Sequence, residues 1–343
     1  MKLKQKTTYF MKYVFLHPFR LINFLKIKIS KQLKLPHVFG LPLTIMIEPT
    51  NLCNLKCPLC PTGAGRIKRK KGNMEYSHFR KIIDEIAPYS FHVRLWNWGE
   101  PLLNKKIFRM IAYAKKKNLF VNLSTNSNFL DKDVSEKILK SGLDELIISL
   151  DGASEETYKK YRKGGDFQKV INSIKFLTSR KRKSDIKMPY VKLQFIIMKH
   201  NEHEIKNIKN LAEEIGVDEL VFKTVGIMDY FSEEDIREYM PSDKKYSRYI
   251  IGKDEVFSKR AVKNKCDFLW EEIVINWDGS VVPCCFDMNN FFVFGNTFSS
   301  SVREIWNNSK YTLFRKKILK EKESIALCRN CPGSNKETFV NVK

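Results

Sequence analysis

Residues 53–60 read Cys53-Asn54-Leu55-Lys56-Cys57-Pro58-Leu59-Cys60 and directly follow an apolar run of strand length, Leu43–Glu48. The three cysteines therefore lie on one short loop at the end of a predicted strand. Three thiolates on such a loop can converge on one metal centre and leave a coordination position open for a small ligand. A structural zinc site would close that position, so a zinc knuckle completed by a distant His or Cys is the alternative.

Strand-like and helix-like segments alternate from residue 43 to about residue 226. The predicted strands are Leu43–Glu48, Val93–Trp98, Leu119–Ser124, Glu145–Leu150, Tyr190–Met198 and Glu219–Val225. The predicted helices between them are His78–Ile86, Lys105–Lys117, Val134–Lys140, Phe167–Thr178 and Glu204–Ile215. This alternation predicts an α/β fold whose parallel strands form a partial (β/α)6 barrel. In such a sheet the functional residues follow the carboxyl ends of the strands.

Polar residues and glycines follow three of these predicted strands. Trp98-Gly99-Glu100-Pro101 follows the second strand, where Gly99 permits close backbone approach and Glu100 can accept hydrogen bonds from an ammonium group. Asn126 follows the third strand, and Ser149-Leu150-Asp151-Gly152 ends the fourth, with Arg162 on the next predicted helix. Helix capping by Ser149 and solvation of Arg162 are the alternatives to ligand binding.

A second set of cysteines lies near the C-terminus. A hairpin is predicted from Ile273–Trp277 and Ser280–Val282 because the Asp-Gly turn between them tolerates positive φ. The cysteines around it that can form one four-thiolate site are Cys266, Cys284, Cys328 and Cys331. A zinc ion is the alternative occupant. We divide the chain into a basic segment 1–40, a barrel 41–228, a linker 229–262 and a cysteine-rich domain 263–343.

The order and spacing of these motifs resemble the radical S-adenosylmethionine (SAM) superfamily. The resemblance implies that Cys53, Cys57 and Cys60 hold a 4Fe–4S cluster that binds SAM. It also implies that Gly99, Glu100, Asn126, Ser149 and Arg162 contact SAM. Trp98 stands where the family usually has glycine. The implied activity is reductive cleavage of SAM to a 5′-deoxyadenosyl radical, which abstracts hydrogen from a substrate. The electron would come from a reductant such as flavodoxin or ferredoxin.

The C-terminal cysteines resemble the SPASM or twitch extension of radical SAM enzymes, which binds auxiliary 4Fe–4S clusters. No cysteine follows Cys331, so one auxiliary cluster is expected, making two clusters in all. Three roles remain open for Cys285. It could replace Cys284 as a ligand, lie buried as a small apolar side chain, or act catalytically by donating hydrogen to a substrate radical.

The charge distribution suggests where the protein works. The formal net charge is +24, and residues 1–47 contain nine Lys or Arg and no Asp or Glu. Aromatic and aliphatic side chains alternate with these cations around Pro18, which predicts two short amphipathic helices. One interpretation is peripheral contact with the inner face of a membrane by a cytoplasmic protein, and the other is a helical hairpin packed on the domain beneath.

The substrate has three candidate classes. The basic N-terminus favours an anionic sugar or lipid-linked cell-surface intermediate that is oxidised or epimerised. A peptide modified by a radical SAM maturase is the alternative, although no added peptide-recognition domain precedes the barrel. The remote third hypothesis is a basic RNA-binding protein with structural metal sites, but the sequence contains no recognisable RNA-binding module, so nucleic acid is not expected as a partner.

Overall fold

The protein is described by a computed structural model over residues 9–227, 231–252, 256–259, 262–331, 333 and 338–342. These residues form two compact units that interleave along the sequence. The first unit takes its described residues from Met1–Asn51, Arg69–Asn122 and Asn264–Lys322. The second unit takes them from Leu52–Lys68, Leu123–Lys263 and Glu323–Lys343.

The first unit contains a mixed sheet with helices. Its strands are β1 (Thr44–Ile47), β2 (His92–Leu95), β9 (Glu272–Ile275), β10 (Ser280–Val282) and β11 (Gly295–Asn296). Its helices are α1 (Pro18–Gln32), α2 (Tyr76–Ile86), α3 (Ile107–Lys116), α9 (Phe268–Glu271), α10 (Val302–Trp306) and α11 (Ser309–Glu321). Strand β1 pairs in parallel with both β2 and β9, and β10 continues the sheet antiparallel to β9.

The second unit continues the βα alternation. Strand β3 (Phe120–Thr125) ends in this unit, which also contains β4 (Glu145–Ser149), β5 (Tyr190–Ile197), β6 (Glu219–Thr224), the hairpin β7 (Tyr249–Ile251) and β8 (Val256–Ser258), and β12 (Phe339–Val340). Its helices are α4 (Lys132–Lys140), α5 (Glu155–Tyr161), α6 (Phe167–Lys183), α7 (Ile205–Glu214) and α8 (Glu233–Tyr239). Strands β4, β5 and β6 are parallel, and β12 pairs antiparallel with β6.

Hydrophobic periodicity explains why these segments form their elements. Along β5 every second residue is buried, which is the period of a strand. Along α2 the buried residues Phe79, Ile82, Ile83 and Ile86 recur at three- and four-residue spacing, so one face of the helix is covered. The predicted α/β class is confirmed: β1 and β2 are parallel in the first unit, and β4, β5 and β6 are parallel in the second, with helices following the strands along the chain.

Two regions differ from the sequence expectation. The predicted C-terminal hairpin is present as β9 and β10, but β9 also pairs with β1 in the sheet of the first unit. The region 229–262, expected to be a charged linker, contains helix α8 and the β7–β8 hairpin. Its apolar residues Tyr239 and Tyr249 are buried in the same cluster as Cys57. The sequence of this region is rich in charged residues, which favours a linker. Several of its apolar side chains nevertheless pack inward.

The N-terminal segment forms helices on both sides of Pro18, as expected. A π-helical turn spans Met11–Phe15, and α1 begins at Pro18, whose missing N–H is tolerated in the first turn of a helix. The first eight residues lie outside the described part of the chain. Among the helices that the structure describes, we find none with the length and apolarity needed to cross a bilayer.

Candidate active site

The cysteine loop lies in the second unit and is anchored by alternate side chains. Leu55, Cys57 and Leu59 are buried in one apolar cluster, and Cys53 and Cys60 pack against that cluster while staying partly exposed. The amide of Lys56 donates to the carbonyl of Lys163 at 2.8 Å, and the amide of Cys60 donates to the carbonyl of Cys57 at 3.1 Å. The loop is therefore held by both its side chains and its backbone.

Gly63 allows the loop to fold back on itself. A Cβ atom at this position would lie 2.5 Å from the amide nitrogen of Cys57 and 2.7 Å from its carbonyl oxygen. No side chain fits at such distances from the backbone, so the return of the chain past the central cysteine requires glycine.

The three thiols are close enough to influence one another. Burial raises the pKa of Cys57 to about 12, the thiols of Cys60 and Cys53 raise it too, and Arg162 acts in the opposite direction. Within the described residues, no three His, Cys, Asp or Glu side chains are grouped as ligands of a single metal ion.

Several N–H donors lie within hydrogen-bonding range of the cysteine sulfurs, among them the amide of Leu55 at 3.5 Å from Cys53 Sγ. Arg162 Nη1 is 3.8 Å from Cys57 Sγ, and Asn126 Nδ2 is 3.9 Å from Cys53 Sγ. Donors of this kind stabilise thiolates and tune the potential of iron–sulfur clusters. The chemistry of the cysteine donor set and its N–H partners therefore suits an iron–sulfur cluster, and ligation by Cys53, Cys57 and Cys60 stays a prediction.

Arg162 is a buried residue and not a surface cation. Its guanidinium pairs with the carboxylate of Asp151, and the side chains are 13% and 0% exposed. Burial alone would lower the pKa of Arg162, but Asp151 and Cys57 outweigh it and raise that pKa. Arg162 follows the last residue of α5 and does not lie within the helix. A fixed positive charge is therefore maintained beside the central cysteine.

Asp151 is positioned by the end of β4 and by β5. Its second carboxylate oxygen accepts a hydrogen bond from the amide of Ile196 at 2.7 Å. The neighbouring Gly152 is required because a Cβ there would lie 2.3 Å from the amide nitrogen of Tyr158. The Ser-Leu-Asp-Gly motif thus places a buried carboxylate against the guanidinium of Arg162. Asp151 is therefore neither a helix cap nor a solvated side chain.

The other proposed SAM contacts of this unit are buried at strand ends. Asn126 donates to Asn54 Oδ1 at 2.9 Å, which ties the end of β3 to the cysteine loop. Ser149 lies in register with Gln194 of β5, whose amide reaches the serine hydroxyl at 3.5 Å. Their contact with SAM stays a prediction.

Gly99 and Glu100 belong to the first unit. Gly99 has a φ of +136°, which only glycine adopts readily. Glu100 is 2% exposed and accepts a hydrogen bond from the amide of Leu102 at 3.1 Å. The indole of Trp98 donates to the carbonyl of Cys285 at 2.7 Å. Trp98 lies at the position where the family usually has glycine. Its hydrogen bond connects this turn to the segment after β10 that contains Cys284 and Cys285.

The proposed auxiliary ligands fall in two groups. Cys266 and Cys284, in the first unit, both lie within electrostatic range of Tyr311, whose pKa is raised by burial and further by these thiols. Cys328 and Cys331, in the second unit, share one turn, with the amide of Cys331 donating to the carbonyl of Cys328 at 3.1 Å. Their union in one site remains a prediction. Cys285 packs against Met46, Val274 and Val282, and its role is not tested.

Sequence reasoning overlooked several residues that support the site. Asn54, which lies between two of the cysteines, accepts the hydrogen bond from Asn126 that ties β3 to the loop. Asn128 donates to the Tyr158 hydroxyl at 3.0 Å and accepts from the amide of Asp166 at 2.9 Å, bracing the chain near Arg162. The available signal was the polar run 124–128, which begins at the end of β3 and contains more hydrogen-bonding groups than a turn needs.

Comparison with family models gives one match for the region of the cysteine loop and another for the C-terminal cysteines. Residues 47–212 match the radical SAM superfamily, and residues 266–332 match the SPASM iron–sulfur cluster-binding domain. The chain belongs to the radical SAM superfamily. The predicted C-terminal SPASM-type domain is confirmed by the same comparison, as are 4Fe–4S clusters and SAM as cofactors.

Relatives of this radical SAM protein have several activities. It is 30% identical over 176 residues to GTP 3′,8-cyclase of Clostridium botulinum, and the match covers 50% of this chain and 53% of the cyclase. The chain therefore spans about half the length of such curated relatives. It is 24% identical over 309 residues to the mycofactocin maturase MftC of Mycobacterium tuberculosis, covering 84% of this chain and 75% of MftC.

Solved structures show the same fold as this radical SAM protein. Streptococcus suis SuiB bound to its precursor peptide SuiA matches with a TM-score of 0.62 and 16% identity, over 92% of this chain and 76% of SuiB. BtrN in complex with AdoMet and 2-DOIA matches with a TM-score of 0.54 and 17% identity, over 88% of this chain and 99% of BtrN. The predicted partial-barrel fold class is confirmed.

Proposed function

We propose that this protein is a radical SAM enzyme that modifies a peptide. The observation that carries the reaction class is the convergence, in one unit, of a three-cysteine loop with a charged guanidinium beside its buried central thiol. When bound, the cluster and SAM supply a carbon-centred radical that abstracts a hydrogen atom from the substrate. The support for a peptide is the maturase MftC, which resembles this chain over most of its length, and the peptide complex of SuiB.

Each site residue has a role that its surroundings support. Cys53, Cys57 and Cys60 would hold the cluster, while the N–H groups of Arg162 and Asn126 stabilise the negative charge on the sulfurs. Glu100, buried and accepting an amide hydrogen bond, would receive the amino group of SAM. The apolar cluster around the loop excludes water from the reacting atoms.

The auxiliary cysteines belong to the same proposal. Cys266, Cys284, Cys328 and Cys331 would hold one further cluster. Such a cluster can accept an electron and so permits net oxidation of a substrate, whereas a zinc ion cannot. A variant that lacks the cysteines of the 53–60 loop distinguishes an auxiliary cluster from a zinc ion. The variant retains iron if these four cysteines hold a cluster.

A sugar or lipid-linked substrate is the second candidate, because the exposed aromatic and aliphatic side chains of α1 favour an enzyme that works beside a lipid surface. We therefore test both. Anaerobically reconstituted protein is incubated with dithionite, SAM and either peptides encoded by neighbouring genes or a lipid-linked sugar extract. Peptide-dependent release of 5′-deoxyadenosine with a change in peptide mass supports the main proposal. Turnover with the lipid extract alone would replace it with the second candidate.

A variant pair tests the SAM site itself. Glu100→Ala should weaken SAM binding by about fivefold to 150-fold, since a hydrogen bond to a charged group contributes roughly 1–3 kcal/mol. Glu75→Ala is the matched control, because Glu75 is exposed and its side chain makes no capping bond to α2. Equal SAM affinity in the two variants, measured by calorimetry, would remove Glu100 from the site.

A further inference from the structure

Helix α1 turns its apolar side chains to solvent. Five of these side chains are 49–69% exposed and recur at intervals of three or four residues, and we call them the outward apolar face: Phe19, Ile22, Leu25, Ile29 and Leu33. Side chains at this spacing lie along one side of a helix. A surface helix normally shows the opposite polarity, with its apolar side chains directed to the core.

The inner side of α1 buries three polar residues, Arg20, Asn23 and Ser30, beside one apolar residue, Ile27. Arg20 is 3% exposed and donates to the carbonyls of Ala87 at 2.9 Å and Asn118 at 2.7 Å, at the C-terminal ends of α2 and α3. Asn23 donates to the carbonyl of Leu41 and accepts from its amide at 2.9 and 2.8 Å. Rolling the helix to bury the outward apolar face would break these bonds. The orientation of the face is therefore fixed by the structure.

Further large apolar side chains are exposed in the residues that flank α1. Phe15 and Leu16, in and after the π-helical turn, are 51% and 67% exposed, and Phe39 is 58% exposed. Singly exposed apolar residues are ordinary on a protein surface, but a row of large apolar side chains along one face of a helix marks an interaction site.

The charges that α1 and its flanking residues themselves carry are positive, although Glu271 pairs with Lys28 and Lys31 of the helix. Lys12, Lys26 and Lys34 are exposed, and Lys26 lies on α1 between Leu25 and Ile29. No acidic residue occurs among the first 47 residues of the chain. A helix with an apolar face and adjoining lysines matches the chemistry of an anionic bilayer, whose headgroups pair with the ammonium groups while the apolar side chains enter the acyl boundary.

We propose that the outward apolar face of α1 docks on the surface of an anionic lipid bilayer. The helix lies in the plane of the interface, with Phe19, Ile22 and Ile29 inserted and Lys26 at headgroup depth. This surface is an interaction site separate from the cysteine loop. The proposal does not depend on whether the substrate is a peptide or a lipid-linked molecule.

Vesicle sedimentation of the full chain tests this proposal. The vesicles contain either phosphatidylcholine alone or equal parts of phosphatidylcholine and phosphatidylglycerol, at low and high salt. We expect binding to the anionic vesicles that is at least about tenfold stronger than to the neutral ones and weakens with salt. The double variant Ile22→Gln, Ile29→Gln should lower this binding by about tenfold or more, because glutamine keeps the helix but removes the inserted groups.

A matched variant and a second measurement complete the experiment. Leu313→Gln replaces a side chain that is 62% exposed on α11, and it should bind anionic vesicles as the wild type does. Equal iron content and melting temperature show that each variant is folded. The proposal fails if the wild type stays in the supernatant, if it binds neutral vesicles equally well, or if the double variant still sediments. A lipid-free dimer that the double variant dissociates, without vesicle binding, would instead assign the face to a second copy of the chain.

Discussion

Removing the guanidinium of Arg162 should destabilise the protein strongly. The variant Arg162→Gln leaves the Asp151 carboxylate fully buried, with the amide of Ile196 as its remaining partner at 2.7 Å. Breaking a buried ion pair by removing one partner costs about 3–5 kcal/mol. The hydrogen bond from Ile196 persists, so we expect a value near the lower limit, about 3 kcal/mol, in the free energy of unfolding.

A double-variant cycle measured by anaerobic urea unfolding checks this magnitude. Asp151→Asn combined with Arg162→Gln removes both charges, so the combined loss should be smaller than the sum of the single losses by on the order of 1–3 kcal/mol. Arg180→Gln is the control, because Arg180 pairs with Glu136 on the surface and should change stability by less than about 1 kcal/mol. Arg162→Gln with wild-type stability, or additive losses in the cycle, would refute the buried-pair reasoning.

Three further predictions concern the cluster, Trp98 and His92. Replacing all three cysteines of the 53–60 loop by alanine should halve the iron of reconstituted protein from about eight to about four per chain; zinc without iron in the anaerobic wild type would contradict the assignment. Trp98→Phe removes the indole donor to Cys285 and should alter the electron paramagnetic resonance of the auxiliary cluster more than Trp277→Phe does. An unchanged spectrum would contradict the positioning role. Burial, and then Arg94, lowers the pKa of His92 to about 3, so the free energy of unfolding should fall as pH falls from about 6.5 towards 3. Between pH 7 and pH 5, the free energy of unfolding measured in urea should fall by about 2 kcal/mol less in His92→Gln than in the wild type. If the two proteins lose the same stability over this range, His92 is not the group responsible.

The sequence predicted the βα alternation because each strand and helix has its own hydrophobic period. It did not predict that β9 pairs with β1. These strands lie more than 200 residues apart in the chain, and their pairing depends on long-range contacts that periodicity does not encode. The sequence likewise does not predict that the apolar face of α1 is exposed. Apolar residues have the same spacing along a helix whether their face is buried or points to solvent.

The site was predictable where short-range spacing carries the chemistry. The cysteine loop and the Ser149–Gly152 motif are local patterns, and both lie at strand ends as expected. Partners that come from elsewhere in the chain were not predictable. Arg69 lies in the basic run 66–71, a pattern typical of a solvated surface, yet its side chain is 5% exposed and binds the buried carboxylate of Glu48 at 2.9 Å.

Arg20 makes the N-terminal helix a structural part of the first unit. Its guanidinium donates hydrogen bonds to carbonyls at the ends of two different helices. Without Arg20 these carbonyls would be left without hydrogen-bond partners in the protein interior. Deleting the segment that contains α1 would uncover those carbonyls together with the apolar residues beneath them. Shortened forms of this protein should therefore aggregate. The outward side chains of α1 can be exchanged without uncovering these carbonyls, so we expect them to vary more among related proteins than Arg20 does.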